Sequence, residues 1–300
     1  MATQTPPKAA GAAVVRPALR AALPPFPARD FVVPSLILLG LSAAELITAA
    51  WDARVGLPAH ALLLALLVTM GARTSDSAKR ELFWTLTLAP VIRIASLALP
   101  LGRLPLLSWY PLIGIPIFAA VFVTARKLGY SRAHLGLTVR PEQLPLHLGM
   151  TALGGVLGLG EYLIFRPAPL AEHFTFGAIW QPALTLLIFT GLEEELIFRG
   201  LMQRAALRAL GRWGLVYVSA VFAALHIGYL SVLDLAFVFL VGLLFSVIAL
   251  RTRSLLGVTL AHGAVNTGLF LIYPYLAPVV LGSGYADLVP LPEPVTRPPP

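Results

Sequence analysis

Six polar residues in an otherwise apolar stretch have the types and spacing for hydrolytic chemistry: Glu194, Glu195, Arg199, His226, His262 and Asn266. Three consecutive acids, Glu193 to Glu195, sit in the run Gly191-Leu-Glu-Glu-Glu-Leu-Ile-Phe-Arg199. On a helix Glu195 and Arg199 stand at i,i+4 and share a face, so they can pair. Glu194 points about 100° away and is left free for other work. A carboxylate beside a fixed ion pair, in surroundings that hold it near neutrality, suits a general base. Phe222 and His226 are one turn apart, as are His262 and Asn266, so each pair shares a helix face. A lone histidine in an apolar helix is commonly a packing residue. Two of them with an Asn at helical spacing suggest a shared polar site.

The surroundings of these residues are those of a membrane protein. Of the 300 residues 58% are hydrophobic and only 12% charged, and the mean hydropathy is +0.83. Soluble domains run at roughly 45–50% apolar. Nine apolar runs have a length suited to a core about 30 Å thick: approximately 33–50, 57–72, 82–99, 110–124, 147–165, 177–198, 214–230, 233–250 and 255–272. The second and fourth are the weakest. The expected fold is therefore an all-α polytopic transmembrane helix bundle with about eight or nine spans. Residues 1–30 read as a disordered cytoplasmic arm and 282–300 as a Pro-rich tail. Between them, 31–146 hold N-terminal spans with an interfacial loop, and 147–273 hold the spans that carry the six polar residues, the expected core of the site.

Charge sets an orientation. With the N-terminus inside, alternate loops carry Lys8, Arg16, Arg20 and Arg29; Arg73, Lys79 and Arg80; Arg126, Lys127, Arg132 and Arg140; Arg204, Arg208 and Arg212; and Arg251 with Arg253. That places sixteen of the 22 basic residues on the cytoplasmic side. The protein is expected as a multi-pass component of the cell membrane, and its net charge of +8 reflects this loop bias, with no nucleic-acid partner implied. Absence of cysteine excludes a thiol nucleophile and thiolate metal ligands.

Ionisable groups at membrane depth require a partner or a function. Counted along spans of alternating direction at ~1.5 Å per residue, Glu194, His226 and His262 fall roughly 10 to 16 Å from the cytoplasmic side. They are expected to converge in that half of the bilayer. Glu45 and Arg93 fall at roughly 16 to 18 Å on the same count and are expected to pair and tie the first and third spans together, with a functional relay as the alternative. The stretch from Gly129 to Pro145 reads as a cytoplasmic interfacial segment, expected to be a connecting loop, with a substrate or lipid contact as the alternative.

The three groups resemble the signature of the CAAX protease and bacteriocin-processing family of intramembrane proteases, which includes the type II CAAX prenyl endopeptidases. The family pattern is E-E-x-x-x-R, then F-x-x-x-H, then H-x-x-x-N or H-x-x-x-D. It occurs here as Glu194-Glu195-Leu-Ile-Phe-Arg199, Phe222 to His226, and His262 to Asn266. The resemblance covers about Gly149 to Ile272. It implies an endopeptidase acting on membrane-embedded or lipid-anchored protein or peptide substrates. Glu194 would activate water with help from His226, His262 and Asn266 would stabilise the oxyanion, Glu195 and Arg199 would support Glu194, and Phe222 would pack. Glu194, His226 and His262 are also a plausible zinc ligand set, although there is no H-E-x-x-H helix and Asn is a poor zinc ligand; the expectation is metal-free chemistry, with zinc as the alternative. The run Glu161-Tyr-Leu-Ile-Phe-Arg166 echoes the first motif without its second acid and is expected to be structural or a gate contact near the outer end of its span. The rival functional readings are an ion or proton transporter and a catalytically idle scaffold.

Overall fold

The computed structural model describes residues 28–99 and 104–281. The arm and the tail expected from composition lie almost entirely outside them. The described residues form nine helical segments: α1 (Ala28–Ala50), α2 (Ala53–Arg73), α3 (Ser77–Ala98), α4 (Leu106–Lys127), α5 (Pro141–Phe165), α6 (Phe176–Leu210), α7 (Trp213–Tyr229), α8 (Val232–Thr252) and α9 (Leu256–Ala277). Eight are long and apolar enough to cross a membrane; α7 is the shorter one. This is the all-α polytopic bundle that the apolar runs imply, and it defines a multi-pass integral membrane protein.

The weak runs are not the ones that come out short. Helix α2 starts at Ala53, with the Asp52 side chain accepting from Arg54 N at 2.8 Å, and continues through Pro58. Helix α4 runs 22 residues through Pro111 and Pro116. Proline is tolerated in packed membrane helices because neighbouring groups take up the freed carbonyls. Helix α7 instead ends early, in a 3₁₀ turn at Ile227–Tyr229 followed by Leu230 in the left-handed region at φ 54°.

The basic segments gather at one end of the bundle. Lys79 pairs with Asp30 at 3.3 Å, Arg208 pairs with Glu81, Tyr130 donates to the Glu81 carboxylate at 2.8 Å, and Lys127 lies 3.7 Å from the Trp84 ring centre. Burial and the Glu81 hydrogen bond push the Tyr130 phenol well above its ordinary value. The loop 128–140 is stitched to the α8–α9 turn: Leu255 N donates to Gly136 O at 2.9 Å and Ser254 Oγ to Thr138 O at 3.0 Å. It acts as a connector, with Leu135 buried and Leu137 and Val139 exposed. At the other end, Leu170 N donates to Phe270 O at 2.9 Å and the Phe165 and Tyr229 rings pack with centres 4.5 Å apart and planes tilted by 52°.

Close backbone contact positions the core. A Cβ on Gly154 would fall 2.2 Å from Ala261 O, and one on Gly158 would fall 2.6 Å from Val265 O. These two glycines, four apart, let α5 press directly on α9, as small-residue pairs do where lipid supplies no hydrophobic drive between helices. They fix the rotation of the helix that carries His262 and Asn266. Glu45 and Arg93 pair as expected, through Arg93 Nε to Glu45 Oε1 at 2.8 Å and the second nitrogen to Oε2 at 2.8 Å. The same guanidinium donates to Leu225 O at 2.7 Å. It therefore ties α1 and α3 to the end of α7, one residue before His226.

Candidate active site

The acidic run lies inside α6, flanked by π-helical turns at Leu187–Leu192 and Leu196–Met202. Such wide turns are frequent at functional sites, and each changes the phase of the residues that follow. Gly191 packs against α9, where an added Cβ would fall 3.0 Å from Thr259 O and 3.1 Å from Gly263 N. That approach places the acids next to His262.

Glu195 is wholly buried and meets two partners. Arg199 donates to its Oε1 at 2.9 Å, as i,i+4 spacing requires, and His262 Nδ1 lies 2.9 Å from the same oxygen. The ion pair was expected to hold Glu194; its direct contact is with the His262 imidazole. Arg199 also donates to Gly242 O at 3.1 Å and lies 4.6 Å from the Phe222 ring centre, which accounts for the Phe222 position as packing for the guanidinium. Glu194 Oε2 stands 3.6 Å from His262 Nε2.

Hydrogen-bond logic assigns the remaining polar atoms. His226 Nδ1 lies 3.0 Å from Phe222 O. A carbonyl only accepts, so Nδ1 carries the proton, and in the neutral form of this tautomer Nε2 presents a lone pair. The Thr190 hydroxyl donates to Leu186 O, so toward Asn266 it can only accept. This orients the Asn266 amide with Nδ2 on Thr190 Oγ1 at 2.7 Å and leaves a second N–H for another acceptor.

Glu194, His226, His262 and Asn266 line one cavity of about 130 Å³. Glu195 and Arg199 stand behind its wall. Phe198, Phe222 and Phe245 bound it, and Glu161, Glu193, Trp109, Tyr110, Thr190 and Tyr229 also contribute to its lining. Trp109 and Tyr110 lie near the start of α4, and Glu161 and Tyr229 near the ends of α5 and α7. The cavity thus continues from the expected slab toward the end of the bundle opposite the basic segments. Glu161, expected to be structural or a gate contact, is part of that wall. Thr190 escaped notice in the sequence, although it precedes Glu194 by four residues and so shares its face. Among the described residues no three His, Cys, Asp or Glu side chains stand together at metal-holding spacing.

Fold and site together define a class: a polytopic helical membrane protein with a buried acid–imidazole–amide cavity. Residues 175–268 match the family model for the type II CAAX prenyl endopeptidase Rce1-like proteins, in agreement with the resemblance carried by the motifs. The matched segment holds all six motif residues. The chain is also 36% identical over 121 residues to an uncharacterized 24.3 kDa protein of Escherichia coli, an alignment that covers 38% of this chain and 55% of that protein. The chain thus spans about half the length of this relative. No solved structure matches.

Proposed function

We propose that the protein is an intramembrane endopeptidase that hydrolyses peptide bonds of membrane-embedded or lipid-anchored substrates. The observation that carries this reading is the convergence of Glu194, His226, His262 and Asn266 on one cavity in a membrane-spanning bundle. Glu194 takes a proton from water as its oxygen attacks the scissile carbonyl carbon. The lone pair on His226 Nε2 holds the second water proton and aims the nucleophile. Asn266 Nδ2–H and His262, protonated on both nitrogens between Glu195 and Glu194, donate to the oxygen that becomes anionic. Glu194 then returns its proton to the departing amine nitrogen as the C–N bond breaks. A single preorganised oxyanion donor contributes about 2.7–4 kcal/mol in comparable sites.

Glu195 and Arg199 act as positioning residues for His262, since carboxylates on the second imidazole nitrogen set ring orientation and basicity. The mechanism runs without a metal; a zinc-dependent protease is the alternative. By the distribution of Lys and Arg the basic end faces the cytoplasm, with the N-terminus inside the cell membrane. The division into an N-terminal scaffold, 31–146, and a catalytic core, 147–273, belongs to the same proposal. Purified wild type, Glu194→Gln and His226→Ala are compared on a membrane-embedded peptide library, with and without chelator. Wild type alone should cleave. Equal cleavage by Glu194→Gln refutes the mechanism, and chelator inhibition reversed by zinc replaces it with the metal-dependent one.

A further inference from the structure

Three carboxylates line the cavity, and the hydrolysis proposed above uses one. Glu193 is 5% exposed and its Oε2 has no hydrogen-bond partner. It faces Gly114 on α4, where a Cβ would fall 2.5 Å from that oxygen, so the glycine leaves the carboxylate its place. Glu161 is 8% exposed and lines the same cavity. Neither makes a hydrogen bond or ion pair among the described residues.

In a membrane protein a buried carboxyl without a partner holds a proton, and it takes its charged form only when a cation is brought to it. Among the described residues no Lys or Arg lines the cavity to act as that cation. Arg199 is committed to Glu195 and Gly242 O, and Arg93 to Glu45 and Leu225 O. A second feature points the same way. The walls beside these acids include Trp109, Tyr110 and Tyr229, and the faces of such rings attract cations, Trp most strongly. Aromatic walls with unpartnered acids select an organic cation over a strongly hydrated inorganic one, which holds its water in preference to a ring face.

We propose that Glu161 and Glu193 form a subsite that receives a Lys or Arg side chain of the substrate close to the scissile bond. Glu193 directly precedes Glu194, so the basic residue lies within a residue or two of the bond cut. Glu161 extends the subsite toward the end of the bundle opposite the basic loops. The inference rests on the endopeptidase reading and names its substrate class: membrane-associated segments with a basic residue at the cleavage site.

The test uses lipid-anchored peptides that differ at one position, stepped across the cleavage site as Lys, Arg, norleucine or citrulline. At one position wild type should prefer Lys or Arg over its neutral counterpart by about tenfold or more in kcat/KM, as expected for a buried charge partner. That ratio should fall toward one in the Glu161→Gln, Glu193→Gln double variant. Equal kcat/KM for Lys and norleucine peptides at every position in wild type overturns the subsite, and this comparison requires no substitution. A preference that survives in the folded double variant overturns it as well. Binding separates failure of the subsite from failure of the hydrolase. If no peptide is cleaved in a Glu194-dependent way, fluorescence anisotropy of the same peptides on wild type decides: tighter binding of Lys than norleucine sustains the subsite, and equal binding removes it.

Discussion

Replacing Arg93 by Leu should both destabilise the bundle and slow turnover. Arg93 is 4% exposed and Glu45 1% exposed. The substitution removes two 2.8 Å contacts from the Glu45 carboxylate and leaves it only His60 Nε2, at 3.7 Å. Removing one member of a buried pair costs about 3–5 kcal/mol, because the other stays charged and uncompensated. Glu45→Gln together with Arg93→Leu removes that stranded charge. The double variant should therefore be more stable than Arg93→Leu alone, with a coupling energy of about 1–3 kcal/mol in a double-mutant cycle. Unfolding in mixed micelles, followed by tryptophan fluorescence, measures all four corners. Both Arg93 variants also lose the 2.7 Å bond to Leu225 O, which caps the end of α7 beside His226. A displacement of about 1 Å in a reacting group costs on the order of 100-fold in rate, so kcat should fall in both while KM changes little. Additive stabilities in the cycle refute the buried-pair argument. Undiminished kcat in the folded Arg93→Leu protein refutes the link to His226.

Glu195→Gln keeps the shape of the side chain but weakens the hold on both Arg199 and His262, and should lower kcat by about 10–100-fold; a peptide-cleavage assay with unchanged kcat would remove Glu195 from the site's support. Asn266→Ala deletes the Nδ2–H opposite Thr190 and should lower kcat by about 100–1,000-fold, whereas Thr190→Val, which removes only the group that orients the amide, should cost less; the reverse order would show that Thr190 is the principal donor. Gly158→Leu drives a side chain into Val265 O and should separate α5 from α9, detected as lost activity with a lowered unfolding midpoint, while Leu at Gly149, which meets nothing within 4 Å, should leave both unaltered. The Arg54 side chain and backbone hydrogen bonds hold the exposed Asp52 carboxyl below its ordinary value. Its cap on α2 is therefore present above the ordinary aspartate range and lost as pH falls through the depressed value, which carbon-detected NMR titration of Asp52 measures.

What could be read from the sequence was local or counted along one axis. The Glu195–Arg199 contact follows from a spacing of four, and the Glu45–Arg93 pair follows from depth, because spans of known direction constrain height. Rotation about the helix axis is not constrained in this way. The contact between Glu195 and His262 crosses 67 positions, and it depends on how far α6 turns through two π-helical stretches and how closely Gly191 lets α9 approach. Hydropathy sees neither. The short span was misplaced for a related reason: Pro58, Pro111 and Pro116 look like breaks, yet packed helices absorb them, whereas the early end of α7 depends on Arg93 capping a carbonyl 132 residues away.

That cap bears on why the N-terminal helices are present at all. The matched family segment begins at residue 175 and contains the six motif residues, but not the groups that complete their surroundings. Trp109, Tyr110 and Gly114 from α4, Ile92 and Ser96 from α3 and Glu161 from α5 close the cavity, and Arg93 holds the α7 end. A helix pair carrying Glu194 and His262 without these walls would leave the acids open to lipid, where an unpartnered carboxylate has no favourable environment. Helices α3, α4 and α5 therefore do more than anchor the chain: they supply the enclosure in which the polar groups on α6, α7 and α9 can face one another, and α1 braces it through Glu45 and Arg93. Substitutions at Gly114 or Ser96, outside every motif, should consequently alter which substrates are cut before they alter whether α6 and α9 pair.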